Sequence, residues 1–200
     1  MLIGLTGKYC AGKNFIADLL EKRGLAVLDV DKLGHIAIES RKEAIFARFG
    51  NDLQRPDGTV DRQLLGEKVF GVQNELQALQ AIVHPEVNRL TIEWVCVQKG
   101  GKCVINAALI HKSVFFNQLD CIILVDAPLL VRLMRAKRRD KLPWAVLLKR
   151  FYTQRQFIAQ YSTGNADIYT IGNSGIERIK CQERRIDAIL SALGLKNETI

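Results

Sequence analysis

Gly7, Gly12 and Lys13 occur in the stretch GKYCAGKN at the spacing of a phosphate-binding loop, G-x-x-x-x-G-K. Glycines let such a backbone wrap a phosphate with its N–H groups, and the N-terminus of a following helix adds positive potential. The lysine then neutralises the outer phosphates. The usual next residue is Ser or Thr, whose hydroxyl touches Mg²⁺; this chain has Asn14. An amide oxygen is a neutral hard donor, so Asn14 either contacts the cation, or one of its waters, or is an asparagine tolerated near a helix start.

Two further groups of residues have types suited to chemistry. Asp29 and Asp31 are two apart at the end of an apolar run, so that in a strand both would project to one face. Arg132, Arg135 and Arg139 recur at i, i+3 and i+7, hence on one face of a helix. Such a basic face is either solvated surface or an anion clamp. His35 and His111 have no paired ligand pattern, and no metal-binding triad is expected.

The elements that must position these groups follow from the hydrophobic pattern. LIGLT reads as a buried strand entering the loop, and a helix begins at Asn14 and ends near Gly24. LAVLDVD, KCVINAAL, DCIILVDA and ADIYTIGN supply four more short strands, several separated by helices, which predicts a parallel α/β sheet. From about Lys32 to Gly101 the pattern predicts several helices, with a turn at RPDG and a break at His84-Pro85. Two helices around a break at Leu142-Pro143 are expected next, and an amphipathic helix closes the chain.

The chain has 200 residues, enough for one domain with an insertion. It is 48% hydrophobic and 25% charged, with neither disordered nor fibrous bias. Its five cysteines, Cys10, Cys96, Cys103, Cys121 and Cys181, form no C-x-x-C pair, which disfavours a disulfide framework or zinc ribbon and suits a reducing cytosol. Neither a signal peptide nor a membrane span is expected, and a cytoplasmic location is. A net charge of +8 points to anionic partners without choosing among them.

Taken together, IGLTG, LDVDKLGH, DGTVDRQLLGEKVF, IVHPEV, RRD…KRFYTQ and ADIYTIGNSG resemble, in order and spacing, the landmarks of dephospho-coenzyme A kinases. The resemblance implies a P-loop kinase core with a five-stranded parallel sheet flanked by helices, a helical substrate-binding insertion and a lid. It implies a core of residues 1-31, 102-131 and 156-200, a dephospho-CoA-binding insertion over 32-101 and a lid over 132-155. The implied reaction moves the γ-phosphoryl group of ATP, with Mg²⁺, to the ribose 3′-hydroxyl of dephospho-CoA, the last step of CoA synthesis. No nucleic-acid partner is implied.

By the same resemblance, Lys13, Arg139 and Asp31 serve catalysis, Asp31 as base toward the acceptor hydroxyl; its other reading is the cap of the following helix. Gly7, Cys10, Ala11, Gly12, Lys13, Asn14, Phe15, Arg135 and Asn173 would hold the nucleotide, Asn173 beside the base unless it is only a turn residue. Asp31, His35, Asp61, Arg62, His84 and Arg150 would hold dephospho-CoA, with Arg150 opening an R-x-x-x-Q pattern that ends at Gln154. An ion pair at Asp61-Arg62 and a helix-entry proline at His84-Pro85 are the structural readings of those dipeptides.

The chain also departs from the family pattern. Its loop replaces Gly-Gly-Ile-Gly-Ser-Gly-Lys-Ser/Thr with Lys8, Cys10, Ala11 and Asn14 at changed positions, and a Pro-Leu-Leu-Phe-Glu segment becomes Ala108 to Lys112. Lys8 is expected to add positive charge. Cys10 would be strained by a required positive φ, and its thiol is expected to acidify near Lys13 and a helix N-terminus. Another P-loop small-molecule kinase, or a non-catalytic nucleotide- or nucleic-acid-binding protein, are the alternative functions.

Overall fold

The computed structural model describes residues 1–153, 166–174 and 179–195. The chain divides into two compact units, Met1–Leu28 with Gly100–Ile200, and Asp29–Lys99.

In the first unit, β1 (Leu2–Gly7), β2 (Ala26–Asp29), β3 (Cys103–Asn106), β4 (Cys121–Asp126) and β5 (Asp167–Gly172) form a five-stranded parallel sheet of order β2-β3-β1-β4-β5. The strands β1, β3 and β4 are almost continuously buried, which is why they read as unbroken apolar runs rather than alternations. The edge strand β5 is largely exposed. One face of the sheet packs Ile3, Leu5, Val104, Ile123 and Val125 against Ile16 and Leu20 of α1 (Lys13–Glu21) and Ile186 and Leu190 of a later helix, α8 (Ile179–Ala192). Register pairs Leu5 with Asn106 and Gly7 with Val125, so the carboxyl ends of β1, β3 and β4 lie side by side. In open α/β sheets this end borders the ligand crevice.

The second unit is helical: α2 (Val30–Ser40), α3 (Lys42–Phe49), α4 (Arg62–Val69) and α5 (Gln73–Val97). Ala37, Ile45, Phe46, Leu53, Val60, Leu65 and Val83 form its core. The RPDG segment turns as expected, with the Gly58 N–H donating to the Arg55 carbonyl and Asp57 accepting from the Thr59 N–H and hydroxyl.

The sequence reading fails at two places in this unit. No break occurs at His84-Pro85, because Pro85 sits inside the continuous helix α5. The carbonyl deprived of its usual donor belongs to Ala81, and Ala81 and Pro85 are both exposed, so water can satisfy it. The Glu86 carboxylate anchors the next turn, accepting from Arg41 at 2.8 Å and from Arg89 at 2.6 Å. The second correction concerns Asp29 and Asp31, which do not share a strand face. The strand ends at Asp29, which caps α2 by accepting from the N–H groups of Asp31 and Lys32, and Asp31 occupies the first helical turn.

In the first unit, α6 (Leu129–Asp140) and α7 (Trp144–Thr153) are separated at the expected Leu142-Pro143 break. Lys141 closes α6 in the left-handed region, φ 54°.

Candidate functional site

The loop between β1 and α1 is folded by its backbone. Gly7 packs against β4 so closely that a Cβ would lie 2.8 Å from the Val125 carbonyl oxygen. The Ala11 N–H donates to the Lys8 carbonyl at 2.9 Å, closing a turn. Cys10 then takes φ 59° and Gly12 φ 94°. The strain anticipated at Cys10 is therefore present, at about 1 kcal/mol for a side chain in the left-handed region. Gly12 admits no side chain at all, since a Cβ would lie 2.1 Å from the Asn173 Nδ2.

Side chains outside the loop hold its carbonyls. Asn173, buried just beyond β5, donates from Nδ2 to the Ala11 carbonyl at 2.9 Å, and Arg135 of α6 donates to the same oxygen at 3.2 Å and to that of Cys10 at 3.5 Å. The Asn173 Oδ1 accepts from Gln182 of α8 at 3.1 Å and from Arg135 at 3.5 Å, while its backbone N–H donates to the Asp126 carbonyl at 2.7 Å. In a planar trans peptide the C=O and the following N–H point in opposite directions. Holding the Ala11 carbonyl against Asn173 therefore turns the Gly12 N–H the other way. The first turn of α1 has Gly12 as its N-cap and no side-chain cap. An uncapped helix start presents N–H groups to an anion.

Lys13 is half-buried at the head of α1, Phe15 packs against the sheet core, and Asn14 is exposed. The Asn14 Oδ1 accepts from the Asn106 Nδ2 at 3.4 Å. Lys8 does not extend the positive potential freely, because it pairs with Asp126 at 2.8 Å.

The arginines of α6 divide by depth. Arg132 is buried, donating to the Ala127 carbonyl at 3.0 Å and lying over the Phe151 ring; burial lowers its pKa. Arg135 binds the loop as described. Arg139 is exposed, bonded to Asp140 at 2.7 Å and stacked on Tyr9. The Tyr9 hydroxyl donates to Asp140 and accepts from Arg150 at 3.3 Å, so one carboxylate gathers the tip of α6, α7 and the loop. The Cys10 thiol corrects the expectation of acidity: burial pushes its pKa up, against the opposing charges of Arg139, Arg132 and Arg135. Gln154 lies outside the described residues.

In the helical unit, Asp31 and His35 are exposed one turn apart on α2, hence on one helical face. Asp61 caps α4 by accepting from the Gln63 and Leu64 N–H groups, and its charge partner is Arg55 at 3.2 Å rather than Arg62. The hydrogen bond from Arg55 is the main reason its carboxyl sits below the usual range. Arg62 is exposed at the head of α4, and His84 is half-buried within α5. Hydrogen bonds from Arg89 and Arg41 take the Glu86 carboxyl down to about 2.

Asn106, Gln182, Tyr9 and Asp140 escaped the sequence reading. Only Asn106 left a signal, as a lone amide ending the buried run KCVIN. Tyr9 and Asp140 meet across most of the chain, and Gln182 of α8 acts through its bond to Asn173, just beyond β5.

A family profile described as dephospho-CoA kinase matches residues 1–176. The dephospho-CoA kinase of Treponema pallidum is 32% identical over 98% of this chain and 97% of that protein. A solved structure from Thermus thermophilus superposes with a TM-score of 0.80 at 30% identity, covering 96% of this chain and 97% of the other. The Campylobacter jejuni dephospho-CoA kinase, at 18% identity, shares the fold with a TM-score of 0.69 over 96% of each chain. A phosphate-type loop closing a five-stranded sheet thus stands in a chain matched along nearly all its length, and this chain belongs to the dephospho-CoA kinase family.

Proposed function

We propose that this protein transfers the γ-phosphoryl group of ATP to the ribose 3′-hydroxyl of dephospho-CoA, releasing ADP and CoA. The observation that carries this reading is the loop, whose carbonyls are bound from outside by Asn173 and Arg135 while α1 begins without a side-chain cap. That arrangement supports binding of the phosphates by the backbone of Gly7 and of Cys10 to Phe15, with Lys13 as the counter-charge. Phosphoryl transfer proceeds through a loose transition state, so positioning and charge stabilisation are most of what the protein must supply.

Arg135 and Arg139 are assigned to the nucleotide. Their hydrogen bonds to loop carbonyls and to Asp140 leave guanidinium groups next to the loop, where charge develops during transfer. Asn173 is assigned to the nucleotide as well, through its hold on Ala11. Asp31 is assigned as the base that orients the acceptor hydroxyl and takes its proton; exposure in a first helical turn suits a carboxylate that meets a ligand. His35, Asp61, Arg62, His84 and Arg150 are assigned to dephospho-CoA. The separate helical unit, Asp29–Lys99, supports reading 32-101 as the acceptor-binding insertion. By resemblance to the family, 132-155 is assigned as the lid on a core of 1-31, 102-131 and 156-200.

The residues at the loop fit Mg²⁺. The Asn14 Oδ1 is a hard neutral oxygen, and the buried Asn106 Oδ1 has no partner among the described residues. Asn14 and Asn106 would help to hold a Mg²⁺ that arrives with ATP, and the chemistry supplied would be neutralisation of phosphate charge. Five free cysteines suit a reducing cytoplasmic setting, and no helix among the described residues is long and apolar enough to cross a membrane.

The test is ADP release from MgATP with purified protein, with and without dephospho-CoA, with CoA identified as product. Stimulation and CoA formation are expected. A folded protein that binds ATP but forms no CoA would redirect the reading to another acceptor.

A further inference from the structure

We propose that Asn106 is a positioning residue for the cation that accompanies the nucleotide, and that with Asn14 it forms a cation contact carrying no formal charge. The inference rests on the reading that the loop binds MgATP.

Asn106 ends β3 beside Leu5 of β1, two residues before Gly7 opens the loop. It is 2% exposed, in a strand whose other residues are apolar. Its Nδ2 donates to the Asn14 Oδ1 at 3.4 Å, which fixes one end of the Asn14 amide. Its own Oδ1 is buried and has no partner among the described residues. A buried acceptor is normally paired, and an orphan of this kind calls for a ligand or ligand-bound water.

P-loop enzymes usually bring a hydroxyl and a carboxylate to the cation. Here the hydroxyl position is Asn14, and the residue ending the adjoining strand is Asn106. The carboxylate at the end of β4, Asp126, is held by Lys8 and by the Ala127 N–H. Among the described residues no group of three His, Cys, Asp or Glu side chains is placed to hold a metal. Two neutral amides bind a hard dication weakly, so the cation's affinity comes from the nucleotide's own phosphates, and it enters with the nucleotide. Asn106 contributes by holding Asn14 and by accepting a hydrogen from the cation's water shell.

The experiment is a Mn²⁺ titration followed by the electron paramagnetic resonance signal of the free ion, on the full chain with and without ATP. Wild type, Asn106→Ala, Asn106→Asp and Asn14→Ala are compared. ATP binding in EDTA is measured alongside by equilibrium dialysis, and folding by circular dichroism. Wild type without ATP should bind no Mn²⁺. Asn106→Ala and Asn14→Ala should weaken Mn²⁺ in the ATP complex by about tenfold, in line with losses of supporting groups at metal sites, and Asn106→Ala should bind ATP in EDTA as before. Asn106→Asp should gain Mn²⁺ binding without nucleotide and lose affinity for ATP in EDTA, because the new carboxylate faces the phosphates. Should Asn106→Ala fail to fold, the exposed Asn14→Ala and the Asn106→Asp variant still decide the matter. Unchanged Mn²⁺ affinity in folded variants that bind ATP normally would overturn this inference and leave the functional reading standing. Wild type that binds no ATP, with or without metal, would overturn the functional reading and this inference with it.

Discussion

The two units hold their functional side chains by different means. At the carboxyl end of the sheet, the centre of the network is an amide: Asn173 joins the Ala11 carbonyl, Arg135 and Gln182 at once, over strands that are almost wholly buried. Carboxylates enter there through Lys8–Asp126 and Tyr9–Asp140. In the helical unit order comes from carboxylates: Asp29 and Asp61 cap helices, and Glu86 binds Arg41 and Arg89. Amides do not titrate, whereas carboxylates do. The hold on the Ala11 carbonyl should therefore persist over a wide pH range, and the helical unit, where Glu86 titrates at about 2, should be the more acid-sensitive part.

The strongest blow to the comparison would come from Asp31→Asn. Turnover should fall by about 10² to 10⁴, the usual worth of a positioned acid or base, with ATP affinity unchanged. Steady-state rates with a parallel binding assay measure both, and retained turnover would remove Asp31 as base. Next in size is Gly12→Ala. Its Cβ cannot coexist with the present position of Asn173, so the KM for ATP should rise by at least about tenfold, with stability reduced, as calorimetry would register. A normal KM would show that the amide network is dispensable.

Acid unfolding sharpens the contrast directly. The Glu86 carboxyl titrates at about 2 in the fold against an ordinary value of 4.5, so its stabilisation is complete above 4.5 and is lost as pH falls toward 2. Hydrogen exchange across that interval should show α2 and α5 losing protection before β1, β3 and β4. Glu86→Gln should make the unfolding midpoint less dependent on pH in this range; an unaltered dependence would count against Glu86 as its origin. The smallest effect expected is from Cys10→Gly. Relief of the positive φ is worth about 1 kcal/mol, partly offset by glycine's greater freedom when unfolded, so the midpoint should rise by a few degrees at most. A drop would mean that the Cys10 side chain contributes packing beyond its backbone cost.

Much of the fold was legible because its signals are local. Unbroken apolar runs marked β1, β3 and β4, since strands covered on both faces have no alternation to hide, and Leu142-Pro143 marked the division of α6 from α7. The spacing of Gly7, Gly12 and Lys13 found the loop, and even the strain at Cys10 followed from its place within it. What failed depended on surroundings. Whether Pro85 ends a helix turns on the hydration of the Ala81 carbonyl and on the anchorage of Glu86. The Cys10 thiol answers to burial more than to nearby cations. The outer support of the loop was illegible because Asn173, Arg135 and Gln182 meet only after folding.

The three arginines on one face of α6 also differ in how firmly each is held. Arg132 is buried against Phe151, Arg135 has acceptors on the loop, and Arg139 keeps most of its own surface in water while pairing with the part-buried Asp140. With its guanidinium largely in water, Arg139 is the most screened of the three. The face is thus fastened less firmly from its β4 end outward, even though Asp140 beyond it holds Tyr9 and Arg150. Its motion should begin at Arg139 and work inward, so that the residue freed first is the one with least to lose.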